Sequence, residues 1–151
     1  MKIREYEDAD KESVEKIFAQ YWNDNEFLNE LSHNIDTRNG RYYIAEKEGE
    51  VVGVAGYRDA PEYLKAHAKT KKPAELYIVA SKHSGEGVGS ALIAKIEESA
   101  KRESFTEIQC YSPGTHSNSW KFYEHLGFVQ HGTINDPDDD CPGMLLIKTF
   151  P

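Results

Sequence analysis

Apolar and polar residues change period several times along this chain, and each change marks an element. Ile3 to Tyr6 alternates and predicts a first strand. Val14, Ile17, Phe18 and Tyr21 then recur at i, i+3, i+4 and i+7, the spacing of one helical face, with Asp10 placed to cap that helix. Phe27, Leu28 and Leu31 predict a second, shorter helix. "RYYIAEK" and "VVGVAGY", joined by a turn around "EGE", are rich in β-branched and aromatic residues and predict a hairpin. Asp59 to Pro73 is polar and lysine-rich, as expected of a mobile loop or a short helix. "ELYIVA" is nearly all apolar, which predicts a central strand buried on both faces. Val88, Leu92, Ile96 and Ala100 share one helical face, and "FTEIQCY" forms a fifth strand. "HSNSWKFYEHL" is a helix stopped at Gly127, and "FVQHG" and "MLLIKTF" are two last strands joined by the acidic "NDPDDDCP". The order β-α-α-β-β-β-α-β-α-β-β predicts an α/β (α+β) fold, a mixed sheet with helices packed on its faces.

Candidate chemistry concentrates where the fourth strand gives way to a helix. "HSGEGVGSAL", His83 to Leu92, puts glycine at 85, 87 and 89. A helix N-terminus presents backbone N–H groups and the positive end of the helix dipole, and it attracts phosphate. Side chains at those three positions would hold a ligand away from the donors. Glycine also takes positive φ without the usual steric cost. Two phosphate motifs fail on spacing. A P-loop needs Gly-Lys-Ser/Thr, but Ser90 and Ala91 follow Gly89. A dinucleotide fingerprint needs a third glycine at 90 or 92, where Ser90 and Leu92 stand.

Composition narrows the partners. The 151 residues suit one compact domain, 1–151, and a formal net charge of -8 argues against a nucleic-acid partner. The opening "MKIREYEDADK" is charged, so no secretory signal is expected there, and no apolar run is long enough to span a bilayer. A cytoplasmic protein without a membrane partner is the expectation. Cys110 and Cys141 are too few for a disulfide framework or a zinc site and are expected to be reduced, partly buried thiols. No metal is expected.

"FYEHLGF", Phe122 to Phe128, adds the second half of a pattern. With it the chain resembles the GCN5-related N-acetyltransferase (GNAT) superfamily. "VASKHSGEGVGSALI" is similar to that family's coenzyme A loop, "FYEHLGF" to its final-helix signature, and "IREYEDADKESVEKIF" and "YIAEKEGEVVGVAGY" to its first strand-helix and its hairpin. The resemblance covers nearly the whole chain in the right order. It implies an acyl-CoA N-acyltransferase fold with a mostly antiparallel central sheet of about seven strands and helices on both faces. The implied activity is transfer of the acetyl group of acetyl-CoA to a primary amine of a small molecule or peptide.

Site residues follow by position. The cofactor strand would be Glu75 to Ala80, splayed from its neighbour so that pantetheine pairs with backbone at Ile78, Val79 and Ala80, with the Val79 N–H aimed at the thioester oxygen. Ser84, Gly85, Glu86, Gly87, Val88, Gly89 and Ser90 would cradle the pyrophosphate. Ser84 stands where the family has Arg or Gln, so Lys82 or His83 becomes a candidate for the missing contact. The family's pantetheine-contacting Asn falls at His116, with Asn118 two residues later, and both remain candidates. Tyr123 would protonate the departing thiolate, since a phenol of ordinary pKa ~10 keeps its proton at pH 7. Glu75, directly or through a water, would take a proton from the attacking amine.

The implied acceptor side is built by the first two helices and the final hairpin, where Tyr21, Trp22 and Phe27 offer an apolar wall and Asp136, Asp138, Asp139 and Asp140 would attract a polycation. Many relatives are dimers, so a homodimer is an expectation. The competing reading is a catalytically silent module of the same fold that binds coenzyme A as a sensor or interaction surface.

Overall fold

The computed structural model describes residues 1–113, 117–137 and 141–151, and leaves the side chains of Ser117, Asn118 and Cys141 undescribed. The strands are β1 (Lys2–Glu5), β2 (Arg41–Lys47), β3 (Glu50–Asp59), β4 (Pro73–Ser81), β5 (Glu107–Pro113), β6 (Val129–Asp136) and β7 (Cys141–Thr149). The helices are α1 (Lys11–Tyr21), α2 (Asn25–Asp36), α3 (Glu62–Lys65), α4 (Val88–Arg102) and α5 (Ser117–His125), with a single 3-10 turn at Asp8–Asp10. The strand order is β1-β2-β3-β4-β5-β7-β6, which makes the apolar β4 central as its sequence predicts. Among the described pairings only β4–β5 is parallel. No described helix is long and apolar enough to cross a membrane.

The chain divides into two compact units, Met1–Arg58 with Tyr77–Ser99, and Asp59–Leu76 with Ala100–Pro151. In the first unit α1 and α2 bury Val14, Ile17, Phe18, Leu31 and Ile35 in a core with Tyr42, Ile44 and Val54 of the hairpin and Ile78 and Ala80 of β4. The hairpin turns at Glu48 and Gly49, with φ of +53° and +79°, a pair of left-handed residues that matches the twist of the flanking strands. Gly53 lets α4 lie close on β3, since a Cβ there would stand 2.5 Å from Val88 Cγ1. In the second unit Ala60 and Leu64 pack with Leu145 and Ile147.

Three expectations about elements need correction. Asp10 does not cap α1 with its side chain; its carboxylate instead receives both guanidinium nitrogens of Arg4 at 2.8 Å and the Glu7 N–H at 2.9 Å. That bidentate ion pair holds the Asp10 carboxyl below its ordinary pKa, against the opposing effect of burial. Second, α2 is longer than α1, twelve residues against eleven, because Ile35 extends the apolar row and Asp24 caps the helix by accepting the Glu26 N–H at 3.0 Å. Third, β6 and β7 reach into the acidic connection, pairing Asp136 with Cys141. The lysine-rich segment holds a short helix, one of the two forms expected of it, and α3 brings Leu64 to 0% exposure.

Candidate active site

The loop that follows β4 is built of backbone. His83 to Gly87 are exposed, and Gly85 and Gly87 lie at φ of +80° and +77°. A Cβ at either glycine would meet nothing within 4 Å, so the backbone conformation, not crowding, demands glycine there. Gly87 C=O accepts the Ala91 N–H at 3.1 Å and starts α4, which leaves the N–H groups of Val88, Gly89 and Ser90 without partners inside the helix. Val88 is buried and pins the first turn, while Ser84, Gly85 and Glu86 stay outside. Lys82 is committed elsewhere: its Nζ pairs with Glu50 and its N–H donates to Val52 O at 2.7 Å. With Lys82 so engaged, the donors that the start of α4 itself offers are main-chain N–H groups and the dipole of a fifteen-residue helix.

Ile78 and Ala80, 6% and 4% exposed, send their side chains into the core of the first unit. Only their main chain can meet a ligand. Val79 between them is half-buried. The register of β4 with β5 consists of Pro73–Glu107, Ala74–Ile108 and Glu75–Gln109, although β4 continues to Ser81 and β5 to Pro113. Glu75 is thus the last residue of the ladder. It is buried, 7% exposed. Residues paired across a ladder share a face, so Glu75 lies beside Gln109, and alternation puts Cys110 on the other face.

Tyr123 is buried at 9% exposure between Phe122 and Phe128, whose rings meet it edge-on at 5.3 and 5.7 Å. The end of α5 fixes it. Gly127 takes φ of +95°, and the Tyr123 carbonyl accepts the N–H groups of Leu126 at 3.0 Å and Phe128 at 3.1 Å. The Tyr123 hydroxyl is hydrogen-bonded to the Cys110 thiol. Burial raises both: Cys110 is pushed up to about 12, and Tyr123 well above its ordinary 10. Each keeps its proton at neutral pH. The charge of Glu75 also reaches Cys110 and disfavours a thiolate there.

The expected site residues thus fall in both units, with Ile78 to Ser90 in the first and Glu75 and Tyr123 in the second. His116, Asp138, Asp139 and Asp140 lie outside the described residues, as does the Asn118 side chain. Trp22 and Phe27 meet at 5.5 Å and pack on the core of the first unit, whereas Tyr21 is half-exposed and its hydroxyl donates to Ser81 O. Cys110 and Gln109 were not singled out as site residues from sequence. Only strand register and helix placement bring them to Glu75 and Tyr123. No group of three or more His, Cys, Asp or Glu suited to a metal ion occurs among the described residues.

Comparison with known proteins agrees with this architecture. The family model described as "Acetyltransferase (GNAT) family" matches residues 3–128, and so spans segments of both units. N-acetyltransferase family 8 member 2 of Rattus norvegicus is 23% identical over 107 residues, 70% of this chain and 46% of the rat protein. The chain therefore spans about half the length of that curated relative. A crystal structure of ribosomal-protein-alanine N-acetyltransferase from Brucella melitensis matches with a TM-score of 0.75 and 22% identity, covering 99% of this chain and 100% of that one. An aminoglycoside 6'-N-acetyltransferase complexed with coenzyme A matches with a TM-score of 0.78 and 16% identity, covering 100% and 98%. At such identities these two structures establish the fold alone, and the family rests on the match across residues 3–128: the chain belongs to the acetyltransferase (GNAT) family.

Proposed function

We propose that this protein transfers the acetyl group of acetyl-CoA to a primary amine by direct attack, with 1–151 acting as one N-acetyltransferase domain in the cytoplasm. The observation that carries the reading is the loop from Ser84 to Ser90, exposed as far as Gly87, whose two left-handed glycines present bare main chain at the start of α4. A pyrophosphate is the ligand such a loop suits. The net charge of -8 opposes it only weakly, because screening over ~8 Å at physiological ionic strength leaves the local donors dominant.

Downstream of the pyrophosphate, pantetheine pairs with the main chain of Ile78, Val79 and Ala80. The Val79 N–H donates to the thioester oxygen as negative charge builds there. Glu75 accepts the proton that an alkylammonium, of ordinary pKa ~10.4, must lose before its nitrogen attacks. When the carbon–sulfur bond breaks, the Tyr123 hydroxyl protonates the sulfur. Its burial and raised pKa keep it protonated at neutral pH, so the donor is in place when charge builds on the sulfur. The acceptor is a small-molecule or peptide amine. The related proteins named above range from an aminoglycoside 6'-N-acetyltransferase to a ribosomal-protein-alanine N-acetyltransferase, which supports leaving the class that broad.

Free-thiol release from acetyl-CoA with a panel of amines tests the reading. Turnover on at least one amine is expected, with a rate that climbs toward alkaline pH as the amine sheds its proton. In Glu75→Gln that climb should persist only from the amine's own titration, on a rate roughly 100-fold lower. Tight binding of acetyl-CoA without turnover on any amine would instead favour the silent module.

A further inference from the structure

The face that Glu75 shares with Gln109 holds a polar atom that the reaction as described does not use. Gln109 is fully buried, at 0% exposure. Its Nε2 donates to the Leu64 carbonyl at 2.8 Å, which fixes the orientation of the amide and identifies the other terminal atom as oxygen. That oxygen, Oε1, has no hydrogen-bond partner among the described residues. A buried acceptor left unpaired is costly, so the site selects for a donor.

Its neighbours do not supply one. Glu107, two residues earlier on the same face of β5, is itself an acceptor; its Oε1 already takes the Lys69 N–H at 2.9 Å and the N–H and hydroxyl of Thr70, both at 2.6 Å. Across the ladder stands Glu75, its backbone one strand spacing of about 4.8 Å away and its side chain on the same face. An unpaired amide oxygen and a carboxylate on one buried face suit a small molecule with two donors and a lone pair to spare, which is water.

We propose that Gln109 is a positioning residue that holds, between its Oε1 and the carboxylate of Glu75, the water through which the acceptor amine is deprotonated. This rests on the proposed role of Glu75 as base. The ammonium N–H bond breaks and its proton joins the water. In the same step a water proton passes to Glu75, the water is regenerated, and the nitrogen lone pair is released for attack on the thioester carbon. Held by Gln109 on one side, the water turns its lone pair away from both acceptors and toward the incoming amine.

Gln109→Met keeps the volume and removes the acceptor. The expected result is a kcat roughly 10- to 100-fold lower, with the KM for acetyl-CoA and the calorimetric affinity for coenzyme A within twofold of wild type. A shared water also predicts non-additivity: in a Glu75→Gln background, Gln109→Met should lower kcat by less than threefold further. Full multiplicative loss in the double variant, or an unchanged kcat beside a damaged Glu75→Gln, would overturn this inference while leaving Glu75 as base. An active wild type with an undamaged Glu75→Gln would bring down the base, and the water's role with it. A crystal structure of the wild-type protein decides the matter even if Gln109→Met fails to fold. An ordered water within 3.2 Å of both Gln109 Oε1 and a Glu75 oxygen is expected, and its absence refutes the proposal.

Discussion

Replacing Tyr123 by Phe removes one hydroxyl and nothing else, so its effects on folding and on chemistry can be separated. The ring stays where Phe122 and Phe128 pack it, and the hydroxyl's partner is the Cys110 thiol, a weak hydrogen-bonding group. The stability lost should therefore not exceed about 1.5 kcal/mol, or about 3–6 °C in melting temperature for a domain of this length. The chemical step is a different matter. Loss of a positioned general acid lowers a rate by roughly 10²- to 10⁴-fold. Because burial raises the Tyr123 pKa, the folded state keeps this proton more firmly than the unfolded chain does. The stability this contributes is complete below pH 10 and disappears only as pH rises through the higher folded value. Wild-type activity should accordingly show no loss of this acid between pH 7 and 10. The assay is thiol release from acetyl-CoA at saturating amine, beside a thermal melt of each protein. A Tyr123→Phe variant whose kcat stays within a factor of two would refute the reasoning and leave Tyr123 a packing residue.

Two predictions concern the scaffold. Gly53→Ala should destabilise by roughly 1–3 kcal/mol, seen as a fall of several degrees in melting temperature, because the new methyl would lie 2.5 Å from Val88 Cγ1 and 3.1 Å from Leu92 Cδ1; an unchanged melt would show that α4 does not need this close approach. Arg4→Met should cost roughly 1–3 kcal/mol at pH 7 and move acid unfolding to higher pH, since the depressed Asp10 pKa contributes stability that is present above the ordinary carboxylate value and lost as pH falls through the folded one; acid titrations of both proteins that coincide would contradict this.

What could be read from sequence was what lies within one element. Period-2 and period-3.6 patterns located all seven strands and the longer helices, and the glycines at 85 and 87 announced a loop that structure finds at positive φ. What sequence hid depends on partners distant in the chain. Asp10 has the side chain of a cap, yet Arg4, six residues away on β1, offers its carboxylate a bidentate charged partner that outcompetes the helix N–H groups. Glu75 could be named from sequence as a candidate base, but its neighbour could not, because only the β4–β5 register puts Gln109 beside it. Cys110 reads as an inert thiol, and in itself it is one; its importance comes from α5 laying Tyr123 against it.

The most direct test of the account is calorimetric titration of coenzyme A into the wild type and into Gly87→Ala. An alanine forced to the Gly87 φ of +77° costs about 1–2 kcal/mol, and the loop will relax away from its binding shape to avoid that strain. Wild-type protein should give a saturable heat, and Gly87→Ala a dissociation constant weaker by roughly 5- to 30-fold. Absence of any binding heat from the wild type at millimolar coenzyme A, or equal affinity in the two proteins, would contradict the claim that bare backbone in this loop grips the pyrophosphate.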